Sequence, residues 1–257
     1  MDEMIQRPAP GAAASQTQAA GDEPAFYEQY WEDADHHLEY NFEAAVRHRF
    51  PSIAHVWGML KTPARVLDWG CGNGVLTYWM FENGFGREIL GLDVSRTAIA
   101  YADRHFVRPG LSYRALDPAA PTAELGRFDA LVCSHVLEHL ADPVAALRNL
   151  RDLADWFVIE VPLESALVTD VAAALRAGRR DENAVGHLHF WNRNSFRSVL
   201  TDAGYQIVRD NVYASSPFCR YVGVRKRSVQ RALIAVTGTE IYSRLMATNY
   251  TVLARTS

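Results

Sequence analysis

From Ala64 onward, short apolar runs alternate with segments whose apolar residues recur at helical intervals. Arg65–Trp69, Glu88–Asp93, Leu111–Leu116, Phe128–Ser134 and Trp156–Val161 read as strands buried on both faces. Tyr205–Tyr213 and Asn249–Ala254 read as two more. Between them, Val75–Phe81 predicts one helix, and Ser95 is placed to cap another that runs to about His105. Asp142-Pro143 opens a third, with a capping carboxylate and a proline in the first turn. Asn194 is expected to cap a fourth, which carries Phe196, Val199 and Leu200 on one face and stops at Gly204. Alternation of this kind predicts an α/β fold: a Rossmann-like, doubly wound, mostly parallel sheet.

Ahead of this region the pattern weakens. Residues 1–24 are rich in Ala, Gln, Gly and Pro, lack the charge and apolar stretch of a signal peptide, and are expected to be a disordered tail. Residues 25–63 form a helical cap or lid in this reading. It begins with the aromatic cluster Phe26, Tyr27, Tyr30 and Trp31 and continues as a helical stretch from Leu38 to Leu60. The main domain is then 64–257, with an insertion at about 214–247 that holds Arg220, Arg225, Lys226, Arg227 and Arg231 beside apolar segments. A basic helical face is expected there; the alternative use is an acceptor-pocket wall or homodimer contact, with the basic residues attracting an anionic substrate or carrier.

Length and composition narrow the function classes. The 257 residues, 49% of them hydrophobic and 22% charged, suit one large globular domain. A formal charge of −4 argues against a nucleic-acid partner held by charge alone. No apolar run approaches the ~20 residues that span a bilayer. Cys71, Cys133 and Cys219 are too widely spaced for a disulfide framework or zinc knuckle, which suggests a reducing, cytoplasmic setting.

The first candidate site is the turn Gly70-x-Gly72-x-Gly74 between a strand and a helix, where open α/β sheets bind ligands. Glycine admits positive φ there and lets backbone N–H groups approach a ligand. Asp68 precedes the turn and can receive an ammonium group. Asp93 ends the next strand and can accept from the two hydroxyls of a ribose. The spacing is not that of a dinucleotide cradle.

The segments Val66–Gly74, Leu92–Ser95 and Phe128–Pro143 resemble the class I S-adenosylmethionine-dependent methyltransferases, over roughly Ala64 to Ala254. The resemblance implies a sheet order 3-2-1-4-5-7-6 with the last strand antiparallel. It also implies S-adenosylmethionine as cofactor: Asp68, Gly70, Cys71 and Gly72 at the methionyl end, Asp93 and Val94 at the ribose, and Leu116 and Asp117 beside the adenine. Ser134 and His135 would lie beside the sulfonium and the acceptor, and Tyr30 would close over the cofactor from the lid. Cys71 and Cys133 read as small packing residues, not nucleophiles.

His135-x-x-Glu138-His139 follows the fourth strand, and His187 and His189 lie far downstream. This is similar to the Glu-x-x-Glu-His segment of ubiquinone-pathway O-methyltransferases and small-RNA 2′-O-methyltransferases, with His135 replacing the first Glu. In those families the cluster holds a divalent metal, which here would fall on His135, Glu138, His139 and His187 or His189. The preferred reading is metal-free. It has a small-molecule acceptor methylated on oxygen, His135 or His139 as general base, and His187 or His189 helping from across the cleft. The alternatives are a metal-dependent RNA 2′-O-methyltransferase, an N-methyltransferase and a non-catalytic cofactor-binding subunit.

Overall fold

Adjacent residues of the central strands bury on opposite sides of one sheet. Leu67, Leu131 and Phe157 enter one apolar cluster, while their neighbours Val66, Ala130 and Val158 enter another. Such strands need cover on both faces, and helices supply it. The computed structural model describes residues 23–32, 42–61, 63–117, 122–164, 187–214, 224–246 and 248–256. The expected tail through residue 22, the stretch 33–41 and the start of the insertion at 215–223 lie outside the described residues.

The sheet has seven strands: β1 (Arg65–Trp69), β2 (Glu88–Asp93), β3 (Leu111–Ala115), β4 (Phe128–Ser134), β5 (Ala154–Leu163), β6 (Tyr205–Tyr213) and β7 (Thr248–Thr256). Their order is β3-β2-β1-β4-β5-β7-β6, as the resemblance implied. The first five pair in parallel, and β7 runs antiparallel to both β5 and β6.

The helices are α1 (Glu23–Trp31), α2 (Phe50–Trp57), α3 (Val75–Glu82), α4 (Arg96–His105), α5 (Pro143–Leu150), α6 (Arg193–Asp202) and α7 (Val224–Leu245). Ile53, Val56 and Trp57 of α2 pack with Val75, Leu76 and Met80 of α3 on one face. Leu147 and Leu150 of α5 pack with Phe196 and Leu200 of α6 on the other.

The caps are instructive. The Ser95 hydroxyl accepts from the Ala98 N–H and the Asp142 carboxylate from the Ala145 N–H, both as expected. Asn194 is not the cap of α6. Asn192 is extended, its side chain accepts from the Ser195 N–H, and the Ser195 hydroxyl accepts from the Asn192 N–H in return, so the helix starts two residues earlier. α1 begins at Glu23, inside the expected tail. The stretch expected to be one helix to Leu60 contains a π-helical segment, Glu43–Arg49, before α2. In the insertion, α7 is interrupted at Gly238 and leaves Val229, Val236 and Ile241 exposed. No described helix is long and apolar enough to cross a membrane.

Candidate functional site

Parallel strands bring their carboxyl ends to one edge, and two groups of side chains converge there. The first lies at β1, β2 and β3. Gly70, Gly72 and Gly74 have φ of 78°, 54° and 79°. Packing alone also demands glycine: a Cβ on Gly70 would sit 2.2 Å from Val136 Cγ2, and one on Gly72 2.7 Å from Trp31 Cζ2. The ring over Gly72 is therefore that of Trp31. Tyr30, the lid residue named from sequence, stands edge-on behind it at 5.1 Å between ring centroids.

The Asp93 carboxylate accepts from the Gly72 N–H at 2.8 Å and the Ser95 N–H at 2.9 Å, so it ties the glycine turn to the start of α4. Burial raises its proton affinity, and these backbone donors oppose that only in part. The Leu116 N–H donates to the Asp93 main-chain carbonyl at 2.7 Å, which holds the residues just beyond β3, Leu116 and Asp117, against the end of β2 where Val94 follows. Asp68 is buried under the turn and accepts from the Thr77 hydroxyl at 2.6 Å. Burial pushes its pKa up to about 7; the nearby Asp93 charge adds to this, and Thr77 and the Arg49 guanidinium oppose it. Burial likewise pushes the Cys71 and Cys133 thiols up, so neither is a ready nucleophile.

Glu28 anchors α1 to the main domain. Its carboxylate accepts from Arg96 N–H at 2.6 Å, Thr97 N–H at 3.1 Å and Ser95 hydroxyl at 3.0 Å, at the amino end of α4. Tyr27, one residue earlier, meets the His139 ring edge-on at 5.7 Å. One short helix thus touches both groups of the site.

The second group lies beyond β4 and β5. The expected helical face through 135, 138 and 139 does not form, because His135 has φ 57° and stands outside the 3-10 turn Leu137–His139. A left-handed conformation at a non-glycine residue costs energy and marks a site where the surroundings impose it. His135 Nδ1 is 3.1 Å from Glu138 Oε1, off the line of a hydrogen bond, and its Nε2 is 3.8 Å from Glu160 Oε1. Glu138 is fully buried, and neither carboxylate oxygen has a hydrogen bond among the described residues. Burial pushes the Glu138 carboxyl up, but contact with His135 and the charges of His135 and His139 outweigh it and hold it low.

Of the two downstream histidines, only His187 joins the cluster. Its ring lies 4.9 Å from that of His139, and its Nδ1 bonds Glu164 at 2.6 Å. Burial lowers the His187 pKa, but the Glu164 bond and the charges of Glu164 and Glu138 more than reverse this. His189 instead directs Nε2 to the Leu140 carbonyl at 2.8 Å and stacks on Trp191, a structural role. One donor atom each from Glu138, His139 and His187 lies within 4.8 Å of the others, a spacing that can hold a metal ion. His135 is not in that set.

Sequence reading missed Arg49, Glu160, Glu164 and Tyr213. Glu160 alone carried a signal, as a charged residue inside the apolar run of β5; it is buried, and accepts from the Ser134 hydroxyl at 2.6 Å and from the Tyr213 hydroxyl. The others come into place only through tertiary packing.

The chain matches the family model described as a methyltransferase domain over residues 23–210. A ubiquinone biosynthesis O-methyltransferase of Burkholderia pseudomallei is 28% identical over 165 residues, which span 61% of this chain and 70% of that protein. Two solved structures share the fold. One is an S-adenosylmethionine-dependent methyltransferase from Thiobacillus denitrificans in complex with S-adenosyl-L-homocysteine (TM-score 0.56, 18% identity, 85% of this chain and 98% of that one). The other is the magnesium protoporphyrin IX methyltransferase of Synechocystis PCC 6803 (TM-score 0.53, 15% identity, 95% and 90%).

Proposed function

Given that the chain belongs to the methyltransferase-domain family and is an S-adenosylmethionine-dependent methyltransferase, we propose that it methylates a hydroxyl oxygen of a small molecule. The observation that carries this reading is the position of the imidazole and carboxylate cluster: Ser134 and His135 leave the same sheet edge as the glycine turn, and Val136 packs on Gly70. The residues at β1 and β2 suit the cofactor. Asp68 is a buried carboxylate with one neutral donor, a group that an arriving ammonium would satisfy. Asp93 keeps lone pairs for ribose hydroxyls while its backbone bonds fix its direction. The cofactor supplies an activated methyl group on a sulfonium.

The work left to the protein is to hold an acceptor oxygen in line and take its proton. His139 is the base in this reading. Tyr27 and His187 both pack edge-on against its ring, and Glu164 fixes the His187 ring. The name of the Burkholderia relative supports oxygen as the acceptor atom. Labelled S-adenosylmethionine offered with phenol, sugar, amine and RNA pools tests it: label in the hydroxyl pools is expected, and label confined to amines or RNA overturns it.

One observation favours a second reading of the same cluster. A carboxylate as buried as Glu138, without a hydrogen bond among the described residues, suits a cation. Glu138, His139 and His187 would hold a divalent ion, with Glu164 orienting His187 through Nδ1. One carboxylate and two imidazoles suit zinc, iron or cobalt better than magnesium. Near-stoichiometric metal in purified protein, with activity lost on chelation, would select this reading over the free base.

A further inference from the structure

The geometry points to His135 as a positioning residue and not the base: it is a strut between two buried carboxylates, with Glu160 and Tyr213 as its anchor and Glu138 as the group it holds in place. This rests on the methyl-transfer reading above and refines which histidine does what.

Three observations converge. First, each ring nitrogen of His135 has a carboxylate of the protein as its neighbour at ion-pair distance, Nδ1 3.1 Å from Glu138 Oε1 and Nε2 3.8 Å from Glu160 Oε1, so the ring is wedged between the two acids. A base must aim a nitrogen at the proton it removes. Second, His135 is fastened by its backbone too: its N–H donates to the Glu160 carbonyl at 2.9 Å, the first bond beyond the paired strands β4 and β5. That bond accompanies the left-handed backbone, whose cost the surroundings must offset. Third, the anchor is itself fixed. Glu160 is 1% exposed; one oxygen accepts from Ser134 and the other from Tyr213, which reaches it from β6 across β7. A carboxylate so deeply buried is retained at a cost, and orienting its neighbour is the use the contacts support.

The chain of support therefore runs from Tyr213 through Glu160 and His135 to Glu138, the carboxylate beside His139 and His187. Loss of the strut should misplace Glu138 while the cofactor turn, on β1 and β2, is undisturbed.

Four variants separate a strut from a base: His135→Ala, His135→Asn, Glu160→Gln and Tyr213→Phe. Asparagine places an N–H close to where Nδ1 stood, tolerates left-handed backbone and cannot serve as a base. His135→Ala is expected to lower kcat on the order of 100-fold, and His135→Asn to recover activity to within about tenfold of wild type. Glu160→Gln should lower kcat about tenfold and Tyr213→Phe less, with cofactor affinity unchanged in all four. His135→Asn as inactive as His135→Ala, or Glu160→Gln with wild-type kcat, overturns the inference.

A second measurement needs no acceptor. With ¹⁵N-labelled histidine, Glu138→Gln should move the Nδ1 resonance of His135 and Glu160→Gln the Nε2 resonance. If neither moves, the strut does not exist. A wild-type protein that methylates nothing would remove the methyl-transfer reading while leaving these resonance shifts to stand or fall alone.

Discussion

Asp68 and Glu138 lie just beyond or at the ends of neighbouring strands, both out of contact with water, and their proton affinities move in opposite directions. Burial pushes both carboxyls up. Asp68 has only a neutral hydroxyl as hydrogen-bond donor, with Arg49 more remote and the Asp93 charge opposing it, so burial wins and its pKa reaches about 7. The Glu138 carboxylate has no hydrogen bond among the described residues, yet the imidazoles of His135 and His139 outweigh burial. A single neutral hydroxyl does not offset burial at Asp68, whereas two adjacent imidazoles do at Glu138. The Asp68 carboxylate is thus left short of a cation that a cofactor's ammonium can provide, while the Glu138 carboxylate has the chain's own imidazoles beside it.

The sharpest way to break this contrast is to delete one carboxylate and watch which function fails. Glu138→Ala should lower kcat by roughly 10²–10⁴-fold, the range for lost acid–base machinery, and leave cofactor affinity within a few-fold. Initial rates and calorimetry on the same preparation decide it. A larger loss in cofactor binding than in turnover would mean that the two groups are one site.

On the other side, Asp93→Asn should weaken S-adenosylmethionine binding by about 1.5–3 kcal/mol, roughly 10- to 150-fold, since charged hydrogen bonds to ribose hydroxyls become neutral ones. Asparagine is preferable to alanine because its amide oxygen can still take one of the Gly72 and Ser95 N–H groups. Gly72→Val is a poorer probe: its Cβ would strike Trp31 at φ 54°, so lost binding would not isolate the ligand's approach. Unchanged affinity in a folded Asp93→Asn protein would move the cofactor elsewhere.

The two halves were not equally legible in the sequence. The sheet and the β1–β2 half follow from local rules: apolar runs for the strands, glycine where φ is positive, and an acid at the end of a strand. The histidine half was legible only as a list of residues. Its roles depend on contacts between positions far apart in the chain, such as Glu164 with His187 and Tyr213 with Glu160. The spacing of 135, 138 and 139 suggested one helical face, but the left-handed backbone at His135 cannot be read from a His-x-x-Glu-His pattern. The same limit made His187 and His189 interchangeable until Leu140 was seen to take the second.

A pH titration sharpens the contrast further. A carboxyl whose folded pKa is raised from 3.8 to about 7 stabilises the fold fully below the lower value and loses that contribution as pH rises through the higher one. The apo protein should therefore lose stability over this window on account of Asp68, by ~4 kcal/mol at most on an order-of-magnitude basis. Cofactor affinity should change in the opposite sense, since the ammonium requires the ionised form: about tenfold weaker for each pH unit below 7. Asp68→Asn should flatten both slopes, and thermal melts with calorimetry across this range read them. A cofactor affinity independent of pH in the wild type would separate Asp68 from the ammonium.

The smallest expected effect comes from the donor that Asp68 does have. Thr77, in the first turn of α3, gives its hydroxyl proton to Asp68 Oδ2 at 2.6 Å in a fully buried contact. Thr77→Val keeps the volume and the branched shape but removes the bond, leaving a buried carboxylate oxygen without its donor. The cost should be about 1–3 kcal/mol when the carboxylate is ionised and less when it is protonated, because a neutral acid demands less of its surroundings. The variant should accordingly be nearly as stable as wild type in mild acid and fall behind as pH rises. Its Asp68 should ionise later still, which weakens cofactor binding a few-fold at neutral pH. Adding cofactor should recover much of the lost stability, because a bound ammonium takes over the compensation that Thr77 provided. If the valine variant trails wild type equally at every pH, the Thr77 hydroxyl does not contribute to the proton affinity of Asp68.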